Sequence, residues 1–476
     1  MTEAATAKLK LASLIGIVVG SMIGGGIFAL PQVIAAHAGP GGALLGWLVT
    51  GIGMLMLARI FQSLALRKPE LDAGVFAYAQ AGFGNFIGHG SAWGYWMSAW
   101  IGNVSFLVLL FSSLGLFFPV FGQGDTPAAV ICASLLLWAL HFMVLRGIEQ
   151  AAAINAVATA AKIVPIAIFI LIAIFAFDSE LFFADFWGAQ SPDLGGVASQ
   201  VRGMMLVTVF VFIGVEGANV YSGRAEKRSD VGIATIAGFL GVLLLLILVN
   251  VLSFGVMSRA DLAHLPNPSM AEVLRSVVGR WGAILVAAGL AISLLGALLS
   301  WTLLCAEILS AAARGHALPQ LFGRENARGV PAPALWLTNI LVQVFLLATL
   351  LLSSAYVTLL NLATTMILLP YLWSAAYAAK LAWTGETYRE EPRLRHIDLA
   401  RSLIAVAYAL WIIYAGGLKY LLLSAILYAP GILLFWWART EQRQPPFTSV
   451  ERYYAGACIV AAVIGLAGLL SGHIRS

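Results

Sequence analysis

Charge is what this sequence has least of. Only 10% of its 476 residues are Asp, Glu, Lys or Arg, where soluble domains carry about 25%. No polar stretch is long enough to bury a core of its own, which excludes a separate soluble domain. Cysteine is nearly absent. Cys132, Cys305 and Cys458 lie far apart inside apolar runs, so neither a disulfide framework nor a thiolate metal site is visible, and they read as small core residues. The hydrolase signatures HExxH and GxSxG are missing, and the seven histidines are scattered, with His89, His141 and His316 near the ends of apolar runs. A membrane-embedded enzyme has no constellation to work with, and no metal or cofactor is expected.

What the chain does have is hydrophobic length. Apolar runs of about 20 residues, each enough to cross a bilayer, recur from end to end. Their approximate bounds are 11–36, 41–65, 84–118, 127–145, 152–177, 200–222, 231–256, 281–312, 334–352, 356–380, 399–416, 418–438 and 454–471, which makes about 13 spans. Met1 to Lys10 is short and polar and does not read as a cleaved leader, because the run that follows is too long. The expectation is one polytopic, all-α transmembrane unit over 1–476.

The net charge of +5 resolves into a topology signal. Lys8, Lys10, Arg59, Arg67, Lys68, Arg146, Arg224, Lys227, Arg228, Arg314, Arg324 and Arg328 fall on one side with the basic residues of 380–401 and 439–452. That side holds about 20 of the 27, against about six opposite, so the N-terminus is expected in the cytoplasm. The excess is not a nucleic-acid footprint. The loop 178–196 carries Asp178, Glu180, Asp185 and Asp193 without Lys or Arg and reads as a solvated outer loop.

Two runs are interrupted by glycine. The first contains Gly20-Ser21-Met22-Ile23-Gly24-Gly25-Gly26-Ile27-Phe28, the sixth Phe210-Val211-Phe212-Ile213-Gly214-Val215-Glu216-Gly217-Ala218-Asn219. Glycine weakens a helix by about 1 kcal/mol relative to alanine, and irregular backbone at membrane depth is tolerated only where it lines a cavity or is buried in protein. The competing reading of the first stretch is a small-residue packing face, since Gly20 and Gly24 form GxxxG. The second interruption decides for a hinge. The two breaks lie five spans apart and so run in opposite directions, the pattern of a five-plus-five inverted repeat with a binding site between them.

These stretches, with Tyr95-Trp96-Met97-Ser98-Ala99-Trp100-Ile101-Gly102-Asn103 and Ser300-Trp301-Thr302-Leu303-Leu304-Cys305-Ala306-Glu307, resemble the amino acid–polyamine–organocation superfamily. Within it they are similar to the basic amino acid/polyamine antiporters, first the arginine/ornithine exchangers, then the arginine/agmatine and lysine/cadaverine exchangers. The resemblance covers roughly residues 8–440. It implies a LeuT-type fold with repeats at 11–177 and 200–380, the segment 399–471 adding helices beyond the repeats. It also implies sodium-independent exchange of cationic amino acids, arginine for ornithine first, by alternating access at the cell's inner (plasma) membrane, with homodimers as in relatives. The alternatives are decarboxylation-linked exchange (arginine/agmatine, lysine/cadaverine or histidine/histamine) and a proton-coupled amino-acid permease. The thirteenth span departs from the twelve common in the superfamily.

The chemistry of an amino acid fits the two breaks. Its carboxylate suits free N–H groups at the restart of the first span, where Gly24, Gly25 and Gly26 admit close approach beside Met22. Its ammonium suits carbonyls released near Phe212 and Ile213. Tyr95, Trp100, Phe210 and Trp301 offer faces to a cationic side chain, although an aromatic taken at random is more often packing. By resemblance, Trp301 stacks on the guanidinium or amine end, Asn103 offers it an oxygen, and Ser98 lies in the same wall. Phe210 stands where arginine/agmatine relatives carry Trp. A carboxylate at bilayer depth costs about 2.5–3.5 kcal/mol, so Glu216 and Glu307 should face a cavity or a partner. Resemblance makes Glu216 a gating or proton-sensing group beside Tyr95, while Glu307 either meets a cation or pairs with an arginine. Lys162 is read as a stand-in for the sodium ion of sodium-coupled members, against the alternative of a side chain snorkelling to the interface. A channel built on the same breaks would need a continuous pore, where the broken-helix pair predicts a closed, occluding site, and a sensor would be expected to add a long soluble tail.

Overall fold

The computed structural model describes residues 10–71, 74–147, 151–216, 227–352 and 354–472, and among them every regular element is helical. In chain order they are α1 (Leu11–Met22), α2 (Gly26–Ala35), α3 (Pro40–Arg67), α4 (Val75–Phe83), α5 (Asn85–Gly115), α6 (Pro127–Leu145), α7 (Ala151–Phe175), α8 (Ser179–Phe183), α9 (Val197–Phe210), α10 (Arg228–Val256), α11 (Arg259–Ala263), α12 (Ser269–Val278), α13 (Arg280–Arg314), α14 (Ala332–Ala348), α15 (Ala355–Thr384), α16 (Pro392–Glu441) and α17 (Ser449–Leu470).

Local chemistry sets many of these boundaries. Pro40, Pro127 and Pro392 open α3, α6 and α16, where the missing N–H has no partner to lose. Thr126 caps α6 by accepting from the Ala129 N–H at 3.2 Å. Thr448 and Glu451 form a reciprocal capping box at the start of α17. Among the described residues nine helices are long and apolar enough to cross a membrane, ten when the bent pair α1–α2 counts as one. The chain is therefore a multi-pass membrane protein. Two further apolar helices, 159–175 and α9, are shorter, and α16 is interrupted at Gly417, whose φ of 72° and ψ of 175° are not helical.

Burial grades the helices from centre to rim. In its most apolar window α5 is 94% buried, α15 72% and α17 17%. The helix carrying Tyr95, Ser98 and Asn103 is thus clasped on all sides, which fixes the azimuth of its side chains. Polar contacts join helices at depth. Trp47 Nε1 donates to Asn250 Oδ1 at 3.2 Å, and the hydroxyls of Thr50 and Thr208 meet at 2.7 Å, as expected where apolar surfaces give helices no reason to prefer each other over lipid.

On the face carrying Lys68, the end of α3 is tied to the α15–α16 connection. Arg67 meets Glu391 at 3.0 Å and Asp398 at 3.5 Å and lies 3.6 Å over the Tyr388 ring. Asp398 is buried and also accepts from Ser63 and Tyr388, both at 3.0 Å. Lys68 reaches Glu386 at 2.7 Å and Glu70 at 3.7 Å. Asp72 and Ala73, next along the chain, lie outside the described residues.

The acidic loop 178–196 is folded locally. Asp178 caps α8 by accepting from the Glu180 N–H at 2.8 Å, and Asp185 accepts from Gln190 N–H and Ser191 Oγ. Asp193 meets Arg259 at 2.9 Å, and that bond holds its carboxyl below the usual carboxylate range. A folded-state pKa below the unfolded one contributes stability above the unfolded value that is lost as pH falls through the folded one. The Asp193–Arg259 tie should therefore persist at neutral pH and fail only in acid below pH 3.8, the ordinary value. In Arg259→Gln the Asp193 carboxyl should titrate at a higher pH than in wild type, as read by NMR of carboxyl-labelled aspartate. An unchanged titration would show that Arg259 does not set it.

Candidate functional site

Both glycine interruptions are breaks. Past Met22 the chain leaves the helix at Ile23, with ψ of 87°, and α2 restarts at an angle of 44°. Gly24 N–H bonds to Met22 O at 2.9 Å instead of reaching back four residues, which releases the Gly20 carbonyl. The glycines also serve packing, so the two readings of this stretch are not exclusive. A Cβ on Gly25 would lie 2.6 Å from Leu109 Cδ2 and 2.9 Å from Leu294 Cδ2, and one on Gly26 would lie 2.7 Å from Val211 Cγ1. The restart at Gly25 has no side-chain cap, leaving the first N–H groups of α2 without a side-chain acceptor.

In the second break α9 ends at Phe210 and the chain turns through Val211–Glu216. Gly214 has φ of +103°, and a Cβ there would come 3.0 Å from the Ser21 carbonyl oxygen. Ser21 Oγ donates to the Gly214 carbonyl at 3.0 Å, so the two breaks touch. Gly217, Ala218 and Asn219 lie outside the described residues.

Between the breaks is a cavity of about 30 Å³, where a single water needs about 10–15 Å³. Ser21, Met22, Gly24 and Gly26 line it from the first break, Ser98, Ala99, Gly102 and Phe106 from α5, Phe210, Val211 and Ile213 from the second break, and Trp301 from α13. Met22, Gly24, Gly26, Ser98, Phe210, Ile213 and Trp301, all expected from sequence, thus converge from four segments. Gly25 faces Leu109 and Leu294 instead. Phe212 does not offer its carbonyl, which accepts from the Val215 N–H at 3.1 Å; its ring packs on Trp47 and Phe239. Trp100 is turned away from the cavity, fully buried against Phe345 at 4.8 Å.

Two side chains of α5 beside the cavity lack hydrogen-bond partners: Ser98 in its wall, and Asn103, which follows the lining residue Gly102 but does not itself line the cavity. Ser98 Oγ and both amide atoms of Asn103 are buried and unbonded among the described residues. A buried polar group left so costs about 1–3 kcal/mol.

A second cavity, of about 210 Å³, opens on the face that carries Lys68. Tyr95, Glu216 and Glu307 line this one rather than the first. At its inner end Glu216, 4% exposed, accepts from Tyr95 Oη at 2.8 Å, from Tyr371 Oη at 2.9 Å and from the Gly214 N–H at 3.3 Å. This clasp joins α5, the second break and α15. Glu307 is half-exposed and ion-paired with Arg314, which is the arginine-partner alternative for that residue.

Lys162, 2% exposed, is not snorkelling. Its ammonium donates to Gly20 O at 2.7 Å and Ile23 O at 2.6 Å, two carbonyls flanking the first break. The sequence reading missed Ser21, Phe106 and Tyr371. Ser21 sits inside the glycine stretch and could have been included on that ground. Phe106 and Tyr371 lie in helices buried on most sides, where periodicity does not say which face meets a cavity.

The sequence profile of a family described as amino acid permease matches residues 9–464. The chain is 60% identical to the arginine/ornithine antiporter of Pseudomonas aeruginosa, over 100% of both chains. It is 41% identical to the L-lysine transport protein of Corynebacterium glutamicum, over 99% of this chain and 97% of that one. It is 44% identical to the arginine/agmatine antiporter of Chlamydia caviae, over 89% and 88%.

Proposed function

The chain belongs to the amino acid permease family, and on that footing we propose that it is a sodium-independent antiporter of the inner membrane exchanging arginine for ornithine. The observation that carries this is identity of 60%, end to end, with an arginine/ornithine antiporter. The alternative, exchange of arginine for its decarboxylated amine, is favoured by the 44% identity with an arginine/agmatine antiporter. The relatives' names describe transport rather than a reaction, in line with a non-enzymatic role.

In this reading the fold is the LeuT-type five-plus-five repeat with 13 spans. The ten apolar spans become thirteen when the helices 159–175 and α9 are included and α16 is divided at Gly417. The repeats occupy 11–177 and 200–380, the N-terminus is cytoplasmic, and the 210 Å³ cavity is the inner vestibule. The substrate is a cationic amino acid, and the protein assembles as a homodimer.

At the central cavity the uncapped N–H groups of α2 take the substrate carboxylate, since a helix N-terminus favours anions. The Ile213 carbonyl takes the ammonium. Trp301 and Phe210 close over the side chain, with Met22, Gly24 and Gly26 as the floor. Ser98 and Asn103, whose polar atoms are unpartnered, meet the side-chain nitrogens. A cavity of 30 Å³ is too small for an amino acid, so loading requires spans 1, 2, 6 and 7 to rock against the rest. Glu216, with Tyr95, gates the inner side. Lys162 occupies the place of a sodium ion.

Exchange in proteoliposomes tests the function. Vesicles loaded with ornithine should take up external arginine without sodium, while empty vesicles should not. Both substrates are monocations, so an imposed voltage should leave the rate unchanged. Uptake driven by agmatine but not ornithine would select the alternative, and equal uptake into empty vesicles would defeat obligatory exchange.

A further inference from the structure

The vestibule has a second use. We propose that it holds an additional, weaker binding site for amino acids bearing a guanidinium or ammonium, at which Glu307 trades Arg314 for the substrate's cation. The proposal rests on the antiport reading and adds a site to it.

Three features carry it. The first is room: the vestibule measures about 210 Å³ against about 30 Å³ for the central cavity, so a substrate can lodge here while the centre is closed. The second is charge. Of the ionic groups lining the vestibule among the described residues, Lys68 is held by Glu386 at 2.7 Å and by Glu70. Both Glu216 oxygens are engaged by tyrosines. Glu307 alone of the three presents a half-exposed carboxylate. The third is that the chain itself already sets a guanidinium on that carboxylate, from Arg314.

The exchange is physically easy. Arg314 keeps two other partners when it lets go, Ser310 Oγ at 2.8 Å and Glu325 at 3.5 Å. Glu307 passes from one guanidinium to another, so no charge is left unpaired on either side. Phe61, Leu304 and Ile308 line the same cavity and supply apolar surface for the substrate's methylene chain, as such stems bury while their charged ends stay polar.

Side-specific kinetics test this. Exchange is measured in right-side-out and inverted membrane vesicles, which present opposite faces to the labelled substrate. Glu307→Gln should raise KM for arginine about threefold to fivefold at the vestibule face, the range of a partly exposed ion pair. Arg314→Gln should lower it there, because Glu307 loses its competitor. Neither should change KM at the opposite face, and Glu307→Gln should not alter inhibition by the neutral analogue citrulline. If Glu307→Gln does not reach the membrane, Arg314→Gln decides alone: a lowered vestibule-face KM supports the site and an unchanged or raised one overturns it. Active variants with unchanged KM at both faces, or with equal changes at both, overturn the site and leave antiport standing. Failure of the wild type to exchange any cationic amino acid defeats both.

Discussion

Replacing Lys162 with methionine should reduce exchange at least about a hundredfold while the protein still reaches the membrane. The first break leaves the carbonyls of Gly20 and Ile23 outside the helical ladder, since Gly24 N–H turns to Met22 O. Lys162 satisfies both, at 2.7 and 2.6 Å. Each hydrogen bond from a charged donor contributes about 1.5–3 kcal/mol, so losing two removes about 3–6 kcal/mol of support from the geometry that shapes the cavity. Methionine fills similar volume and donates nothing. Arginine keeps the charge but is planar and longer, and should not restore the rate. Exchange in proteoliposomes alongside the midpoint of thermal unfolding separates a lost hinge from a lost fold. Near-wild-type exchange by Lys162→Met would mean that the break holds without the ammonium.

The second large effect is expected at Glu216. Glu216→Ala strands the Tyr95 and Tyr371 hydroxyls, both of which donate to the carboxylate. Each buried, unsatisfied hydroxyl costs about 1–3 kcal/mol. Exchange should drop between tens- and several-hundred-fold, and the clasp between α5, the second break and α15 should loosen. Glu216→Gln retains one acceptor oxygen, and a tyrosine hydroxyl can accept from its NH2, so its loss should be smaller. Tyr95→Phe and Tyr371→Phe each remove one bond to a charged acceptor and leave the carboxylate the other, for about 1.5–3 kcal/mol, or about ten- to 150-fold. The double tyrosine variant should exceed the sum of the singles, because only then does Glu216 lose both hydroxyl donors. Additive tyrosine effects, or Glu216→Ala as active as wild type, would show that the three do not act as a unit.

Both of these charged residues are visible in the sequence, whereas their partners are not. Glu216 announces itself: a carboxylate at membrane depth, beside glycines, demands a cavity or a partner on energetic grounds alone. Its partner Tyr371 gives no such notice, lying after Pro370 in an apolar run where tyrosine is ordinary. Lys162 is equally conspicuous as an intramembrane charge, yet the two carbonyls it serves are backbone atoms flanking the first break, which side-chain identity cannot reveal. Trp100 and Trp301 look alike as aromatics in spans lining the same region. Helix rotation separates them, with Trp301 in the cavity wall and Trp100 against Phe345. Glu307 is separated from Trp301 in the same way, because six residues along a helix change both depth and azimuth.

By itself the sequence determined that the protein is helical and membrane-spanning, because so few charges over so many apolar residues leave no other way to satisfy the backbone. It also determined where the helices break, since clustered glycine at bilayer depth is a local property. Which side chains meet across the breaks was decided only in the tertiary structure. A helix buried on every side, as α5 nearly is, carries no amphipathic stripe to orient it. Its facing residues are fixed by packing against partners distant in sequence, and such packing turned Ser98 and Phe106 into the cavity and brought Tyr371 to Glu216.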